Sequence, residues 1–139
     1  MSASPSDRGS LPRARVGERQ TRQRRVISQV IRSAAGPLTV HDIHRRGQVE
    51  LPALGIATVY RTVKLLLDEG LIQPVILPSG DTRYESTGLG HHHHFHCRVC
   101  DEVFDLESCP VQIPRGPFDA GFTVEDHELT LYGTCPACA

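Results

Sequence analysis

The sequence predicts an α+β chain in two parts: an N-terminal winged-helix domain and a small C-terminal α/β domain with a four-cysteine structural zinc site. Four of the five cysteines form two C-x-x-C pairs around the last third of the chain, Cys97 with Cys100 and Cys135 with Cys138. Three predicted helices, two of them with helical spacing of apolar residues, precede a stretch typical of a β-hairpin. The charge divides at the same place. Residues 1–87 hold 13 Arg and Lys against 8 Asp and Glu, and residues 88–139 hold 2 against 8.

The length of 139 residues allows one domain or two small ones. A small domain buries little apolar surface and usually needs a staple such as a metal. No apolar run approaches the roughly 18 residues of a membrane span, and the N-terminus lacks a signal-peptide core, so we expect a cytoplasmic protein without membrane contact. In a reducing cytoplasm, paired cysteines are more often metal ligands than disulfides.

The first part begins with residues 1–18, a predicted flexible basic arm without apolar periodicity. Thr21 is predicted to cap the first helix, which Gly36 and the proline after it end. Thr39 and Asp42 resemble a capping box and predict the start of a short second helix.

The third helix is predicted to open at Thr58 and close at Gly70, with an apolar stripe facing the core. Residues 71–77 and 82–85 then predict the two strands of a hairpin, with Pro74 indicating an edge strand. The predicted boundaries are a winged-helix domain over residues 19–85, a hinge over 86–90 and a metal-binding dimerisation domain over 91–139.

The basic part has the features of a DNA-binding domain. A recognition helix places residues near its start on base edges in the major groove, where arginine can pair with guanine. Arginines of the first helix can follow the phosphate backbone. The candidate DNA-binding residues are Thr58, Tyr60, Arg61, Lys64, Arg22 and Arg24. The alternative is a surface helix with ordinary charges.

The acidic part has the features of a metal-binding domain. Two C-x-x-C pairs match a tetrahedral four-thiolate zinc site, whereas a redox-active pair would need a βαβ context that is missing. Next to the first pair, His91 to Cys97 alternates like a strand, so His92, His94 and His96 share one face. His91 and His93 share the other face, and one strand could therefore supply two metal sites.

Alternatives remain for these residues. The histidines could belong to a hydrophilic strand, or to a hydrolytic zinc centre with an open water position. His127 could be a core residue, and each nearby carboxylate (Glu85, Asp105, Glu107) a surface charge. Cys109 is interpreted as a structural or incidental thiol.

With these pieces in place, the chain resembles the ferric uptake regulator family of metal-dependent repressors over about residues 19–139. The matching motifs are Thr21-Arg22-Gln23-Arg24, Ala57-Thr58-Val59-Tyr60-Arg61-Thr62, Gly70-Leu71-Ile72, Arg83-Tyr84-Glu85, His91 to Cys100, and Leu131-Tyr132-Gly133-x-Cys135. The resemblance implies a homodimer that binds operator DNA when a divalent metal, Fe(II), Zn(II) or Mn(II), occupies a site at the hinge.

The resemblance also implies ligand sets. The hinge-site ligands are Glu85, His92 and His94, with Asp105 as a carboxylate that some members use, and the second-site ligands are His91, His93 and His127. Two departures concern these sites. Pro37 stands where the family often has a histidine, and Asp101 replaces the glycine that usually follows the first cysteine pair.

The expected function is a metal-responsive transcriptional repressor of metal-uptake and homeostasis genes, with structural zinc and a regulatory metal, and not an enzyme. The alternatives are a peroxide sensor on the same scaffold that oxidises a ligand histidine, and a zinc-dependent hydrolase or metal-storage module. A one-oxygen mass gain on histidine peptides after peroxide would identify the sensor.

Overall fold

A computed structural model describes residues 16–113 and 117–139 of the chain. The first part consists of helices α1 (Val16–Ser33), α2 (Val40–Gly47) and α3 (Ile56–Asp68), followed by strands β1 (Ile72–Ile76) and β2 (Thr82–Ser86). The two strands form an antiparallel hairpin. This order of three helices and a hairpin is a winged helix, and the predicted α+β class is confirmed.

One apolar core holds this first part together. Its buried residues come from all three helices, from the segments between them and from β1: Ile27, Ile31, Leu38, Val40, Ile43, Leu54, Val59, Val63, Leu66 and Ile72. Their helical spacing follows the stripes seen in the sequence. The core fixes the orientation of α3 relative to the hairpin.

The helix boundaries correct some of the sequence predictions. The helix α1 includes residues 16–18, and Thr21 lies inside it with its hydroxyl donating to Gly17 O at 2.9 Å, so a cap at Thr21 is wrong. The rest of the predicted arm lies outside the described residues. The helix α3 begins at Ile56, two residues before Thr58, with Gly55 at its N-cap.

The predicted start of α2 is confirmed. Thr39 Oγ1 accepts from the Asp42 amide at 3.0 Å, and Asp42 Oδ2 accepts from the Thr39 amide at 3.2 Å. Burial alone would raise the pKa of Asp42. The hydrogen bonds from Thr39 and the charges of Arg45 and Arg83 outweigh burial and hold this pKa below its usual range.

The second part is a small sheet. It consists of β3 (His93–Cys97), β4 (Val103–Leu106) and β7 (Thr130–Gly133). A separate hairpin is formed by two short strands, β5 (Pro117–Phe118) and β6 (Phe122–Thr123). In the larger sheet, β3 lies between β4, to which it is antiparallel, and β7, to which it is parallel.

One expectation for this second part is not met within the described residues. The alternating residues from Val124 to Tyr132 predict a strand, but the structure has a strand there only from Thr130, where β7 begins. No helix occurs between residue 91 and the end of the chain in the described ranges, which agrees with the prolines at 110, 114 and 117.

The two parts pack through the turn between α1 and α2. The Asp105 amide in β4 donates to Ala35 O at 2.8 Å. The neighbouring Gly36 is buried, and a Cβ there would lie 1.9 Å from Val103 O, so no side chain fits. Buried Arg83 of β2 donates to Asp101 O at 2.9 Å.

None of the described helices is long and apolar enough to cross a bilayer.

Candidate functional site

Three groups of side chains bring metal-binding atoms together, each with its ligand atoms within 4.8 Å of one another. The cysteine cluster contains Cys97, Cys100, Cys135 and Cys138. The interdomain cluster contains Glu85, His92, His94 and Asp105. The histidine–thiol cluster contains His91, His93, Cys109 and His127. The four cysteines and the two predicted ligand sets each fall within one cluster, and Cys109 joins the histidine–thiol cluster.

The cysteine cluster joins the turn after β3 to the turn after β7. Cys97 and Cys135 are buried, and the Cys135 amide donates to Cys97 Sγ at 3.4 Å. Amides of Cys100 and Cys135 directed at this sulfur lower the pKa of Cys97 to about 6, which favours a thiolate. Four cysteine sulfurs that lie together are the donor set of a tetrahedral structural zinc site.

Asp101 occupies the position after the first cysteine pair where the family usually has glycine, and its contacts show what the aspartate adds. Its φ is 63°, in the left-handed region that aspartate tolerates better than most residues. Its carboxylate lies 3.3 Å from the Arg83 guanidinium and 2.6 Å from His96 Nε2. The substitution therefore gives the buried arginine an ionic partner across the two parts. Glycine could not supply one.

The interdomain cluster centres on Glu85, whose side chain is only 5% exposed. His92 Nε2 lies 3.1 Å from both Glu85 carboxylate oxygens, and His94 Nε2 lies 3.2 Å from Oε2. His92 Nδ1 is 2.9 Å from Gly90 O, which as acceptor directs the Nε2 lone pair of the neutral ring into the cluster. Gln73 donates to Glu85 Oε1 at 3.0 Å.

Asp105 completes this cluster. Its Oδ1 is buried without a hydrogen-bond partner among the described residues, and its contact with His94 Nε2, 3.4 Å away, is an ion pair. A buried carboxylate oxygen without a hydrogen bond is costly, and a cation is the group that would satisfy it. Two imidazole nitrogens and two carboxylates thus fit a divalent metal.

Charge in the cluster is balanced by protons when no metal is bound. Burial alone would lower the pKa of His94, but the carboxylates of Asp105 and Glu85 outweigh burial and raise it to about 9. Burial alone would raise the pKa of Glu85, but hydrogen bonds from His94, Gln73 and His92 lower it overall. A divalent cation would therefore displace protons from the histidines as it binds.

The histidine–thiol cluster lies on the side of β3 opposite to the interdomain cluster, because His93 and His94 alternate faces. His93 is 1% exposed, and burial, together with the neighbouring histidines, lowers its pKa, which leaves it neutral. Its Nε2 lies 3.1 Å from His127 Nε2 and 3.2 Å from Cys109 Sγ. The ring of His91 stands edge-on to His93, with centroids 4.5 Å apart.

Sequence reasoning missed Cys109, a member of the histidine–thiol cluster, and Gln73, which donates to Glu85 of the interdomain cluster. Cys109 follows a loop whose path no local pattern determines, so its spacing gave no signal. Gln73 is the cross-strand partner of Glu85 in the hairpin. The predicted hairpin register could have identified it. Glu107, a candidate carboxylate, belongs to none of the three clusters.

The candidate DNA-binding side chains are mostly on the surface. Tyr60 is 53% exposed, and Arg61 and Lys64 are exposed beside it on α3. Thr58 is half-buried and accepts from the Arg61 guanidinium at 3.1 Å. On α1, Arg22 is exposed. Arg24 instead forms a two-point ion pair with Glu69, just after α3. That pair ties Arg24 to the fold.

Comparison with known proteins decides the family. Residues 15–132 match the model of the ferric uptake regulator family. The chain belongs to this family. The ferric uptake regulation protein of Rhizobium leguminosarum bv. viciae is 34% identical over 119 residues, which cover 84% of each chain. As a member of this family, the chain is a metal-responsive regulator. Members of the family are regulators rather than enzymes.

Solved structures agree with the family. A zinc-bound manganese uptake regulator is 32% identical, with a TM-score of 0.70 over 86% of this chain and 92% of its own. The ferric uptake regulator of Helicobacter pylori, described with three functional metal-binding sites, covers 84% of this chain and 79% of its own at 19% identity. Its TM-score of 0.58 shows the shared fold. In the present chain, the cysteine cluster fits structural zinc, and the other two clusters fit divalent metals, including a regulatory one.

Proposed function

We propose that this protein is a metal-activated repressor that binds operator DNA as a homodimer when a divalent metal occupies the interdomain cluster. The observation that carries the proposal is the origin of the four ligands. Glu85 belongs to β2 of the winged helix, whereas His92, His94 and Asp105 lie beyond the predicted hinge. A metal bound by all four links the two parts directly.

The strand β4 gives the metal a second connection to the winged helix. Asp105 offers its side chain to the cluster and its backbone amide to Ala35. Metal binding that holds Asp105 in place therefore also holds β4 against the turn between α1 and α2. This turn leads directly into α2, which packs between α1 and α3.

The physical principle is linkage. A metal that binds one arrangement of the two parts better than others shifts the population toward that arrangement. A shift from about 1:99 to 99:1 requires about 5.5 kcal/mol of differential binding. A four-ligand site can provide this because its donors come from both parts and separate when the parts move.

The DNA-binding surface is the exposed face of α3. Tyr60, Arg61 and Lys64 project from the second and third turns of this helix, and basic residues of α1 add phosphate contacts. Arg22 is one of these, whereas Arg24 contributes less because Glu69 neutralises it. The net positive charge of residues 1–87 supports binding to a polyanion.

The dimer is supported by the exposed apolar surface of the second part. Phe118, Phe122, Leu131 and Tyr132 are between 37% and 67% exposed. The strand β7 is an edge strand of its sheet. Exposed apolar residues on the edge strand β7 and on the hairpin of β5 and β6 mark surfaces for protein association, and a symmetric dimer suits operators with two half-sites.

The regulatory metal is Fe(II), Zn(II) or Mn(II). Two imidazoles and two carboxylates suit all three. The similarity to a manganese uptake regulator that was solved with zinc supports keeping Mn(II) and Zn(II) beside Fe(II).

Fluorescence anisotropy with labelled DNA from upstream of metal-uptake genes tests this function. The protein, with zinc in the cysteine cluster only, is titrated anaerobically with Fe(II), Mn(II) or Zn(II) at buffered free metal. We expect at least one metal to tighten DNA binding strongly, because only the metal-bound arrangement presents both α3 helices correctly. Equal affinity with and without every metal would contradict the proposal.

Substitution of Arg61 by alanine tests the DNA-binding face. We expect a loss of about 1–3 kcal/mol in affinity for the operator and a smaller loss for unrelated DNA, because arginine on a recognition helix contacts base edges. The measurement is anisotropy on both DNAs at several salt concentrations. Arg32→Ala, a change of the same type at an exposed position in the last turn of α1, is the control. Unchanged operator affinity in Arg61→Ala would remove this part of α3 from the interface.

A further inference from the structure

We propose that Cys109 is a metal ligand and that it makes the histidine–thiol cluster a closed, zinc-selective site with three imidazoles and one thiolate. The interdomain cluster, with two carboxylates, has a harder donor set. The two clusters would then sort metals by ligand chemistry within one chain. The inference concerns metal binding only and holds whether or not the protein binds DNA.

The first support is the spacing of the donor atoms. Cys109 Sγ lies 3.2 Å from His93 Nε2 and 3.4 Å from His127 Nε2, and the two nitrogens are 3.1 Å apart. Tetrahedral zinc, with Zn–N near 2.0 Å and Zn–S near 2.3 Å, separates two nitrogens by about 3.3 Å and a nitrogen from a sulfur by about 3.5 Å. The three donors already have nearly the spacing of a zinc tetrahedron.

The second support is the fourth donor. The ring of His91 is edge-on to both other histidines, with centroids 4.5 Å from His93 and 4.8 Å from His127. Its donor atom lies within 4.8 Å of the other three. Four donors complete the coordination of zinc, so the site has no open position for a water nucleophile. The geometry therefore favours a binding site over the hydrolytic centre considered from the sequence.

The third support is the way the chain brings these donors together. His93 belongs to β3 and His91 precedes it by two residues, Cys109 comes from the loop after β4, and His127 from the segment before β7. The Cys109 thiol donates to Val111 O at 3.1 Å, which orients the sulfur while no metal is bound. Metal binding would replace this proton, as it does at other cysteine ligands.

The chemical consequence is selectivity. Thiolate and imidazole favour zinc, whereas Mn(II) prefers carboxylate and water oxygens. A single thiolate leaves the zinc complex with one positive charge, whereas Glu85 and Asp105 neutralise the metal of the interdomain cluster. We expect the histidine–thiol cluster to retain zinc while the interdomain cluster exchanges Mn(II) or Fe(II).

Cobalt(II) is the probe for the thiolate. Protein with zinc in the cysteine cluster is titrated anaerobically with Co(II), and the near-ultraviolet band of thiolate-to-cobalt charge transfer is followed. We expect the band in the wild type, its loss in Cys109→Ser, and its retention in Glu85→Gln, which disables only the interdomain cluster. Zinc content measured after the titration shows whether cobalt has replaced zinc in the cysteine cluster.

Metal competition measures the selectivity. We expect Cys109→Ser to lose at least about tenfold in zinc affinity at this cluster, since even partners outside the ligand shell contribute tenfold or more. Cys109→Asp should keep a four-donor site but shift its preference from zinc toward Mn(II). A wild type without the cobalt band at saturation, a band unchanged in Cys109→Ser, or unchanged zinc affinity would each overturn the proposal.

Discussion

Replacing His94 by alanine is expected to abolish the metal-stimulated gain in DNA affinity while zinc stays in the cysteine cluster. His94 Nε2 lies 3.2 Å from Glu85 and 3.4 Å from Asp105, so it is the donor between the carboxylates of the two parts. Without it, a metal loses one of four ligands. The differential binding then falls below the about 5.5 kcal/mol that a full switch requires.

The measurement is anisotropy with and without the activating metal, together with zinc content by mass spectrometry. His96→Ala is the matched control because His96 lies on the same face of β3 and pairs with Asp101 outside the cluster. We expect this control to keep its metal response. An unchanged response in His94→Ala would show that the regulatory metal binds elsewhere.

The sequence predicted the metal clusters best where a local period places the side chains. A strand alternates its faces, so the run from His91 to His94 necessarily divides into two pairs. The C-x-x-C turn closes the hairpin of β3 and β4, and this closure pairs His94 with Asp105. The sequence therefore contained the information for Asp105 as a fourth donor, although only the resemblance assigned this carboxylate to the hinge site.

Two features could not be read from local pattern. The loop after β4 brings Cys109 to His93 along a path that depends on the whole fold, so spacing alone made this thiol look incidental. The start of α1 before Thr21 was missed because arginine, glutamine and glutamate extend a helix without an apolar signal. The position of Cys109 depends on tertiary packing, and the start of α1 depends on the helix propensity of polar residues. The spacing of apolar residues indicates neither.

The two parts differ in what stabilises them, and this difference determines the effect of losing the zinc. The apolar core cluster lies entirely within residues 27–72. In the second part, the buried apolar residues among those described are Cys97, Val103 and Cys135. Two of these three are cysteines of the predicted zinc site. The sheet of β3, β4 and β7 therefore depends on the metal for its stability.

Substitution of Cys135 by serine is expected to unfold this sheet while the winged helix stays folded. Structural zinc contributes about 10–16 kcal/mol of apparent binding free energy in zinc-finger peptides, far more than the few buried side chains of the sheet can replace. Hydrogen exchange with mass spectrometry measures the effect. Amides of β3, β4 and β7 should lose protection, and those of α1 and α3 should keep it.

The control is Cys109→Ser with zinc supplied only to the cysteine cluster, since this change removes an exposed thiol outside that cluster. We expect its sheet to stay protected. If Cys135→Ser kept the protection of all three strands, the sheet would be held by packing or by the dimer contact. If it also exposed α1 and α3, the two parts would unfold as one unit, joined by contacts such as the packing of Gly36 and Ala35 on β4 and the bond from Arg83 to Asp101.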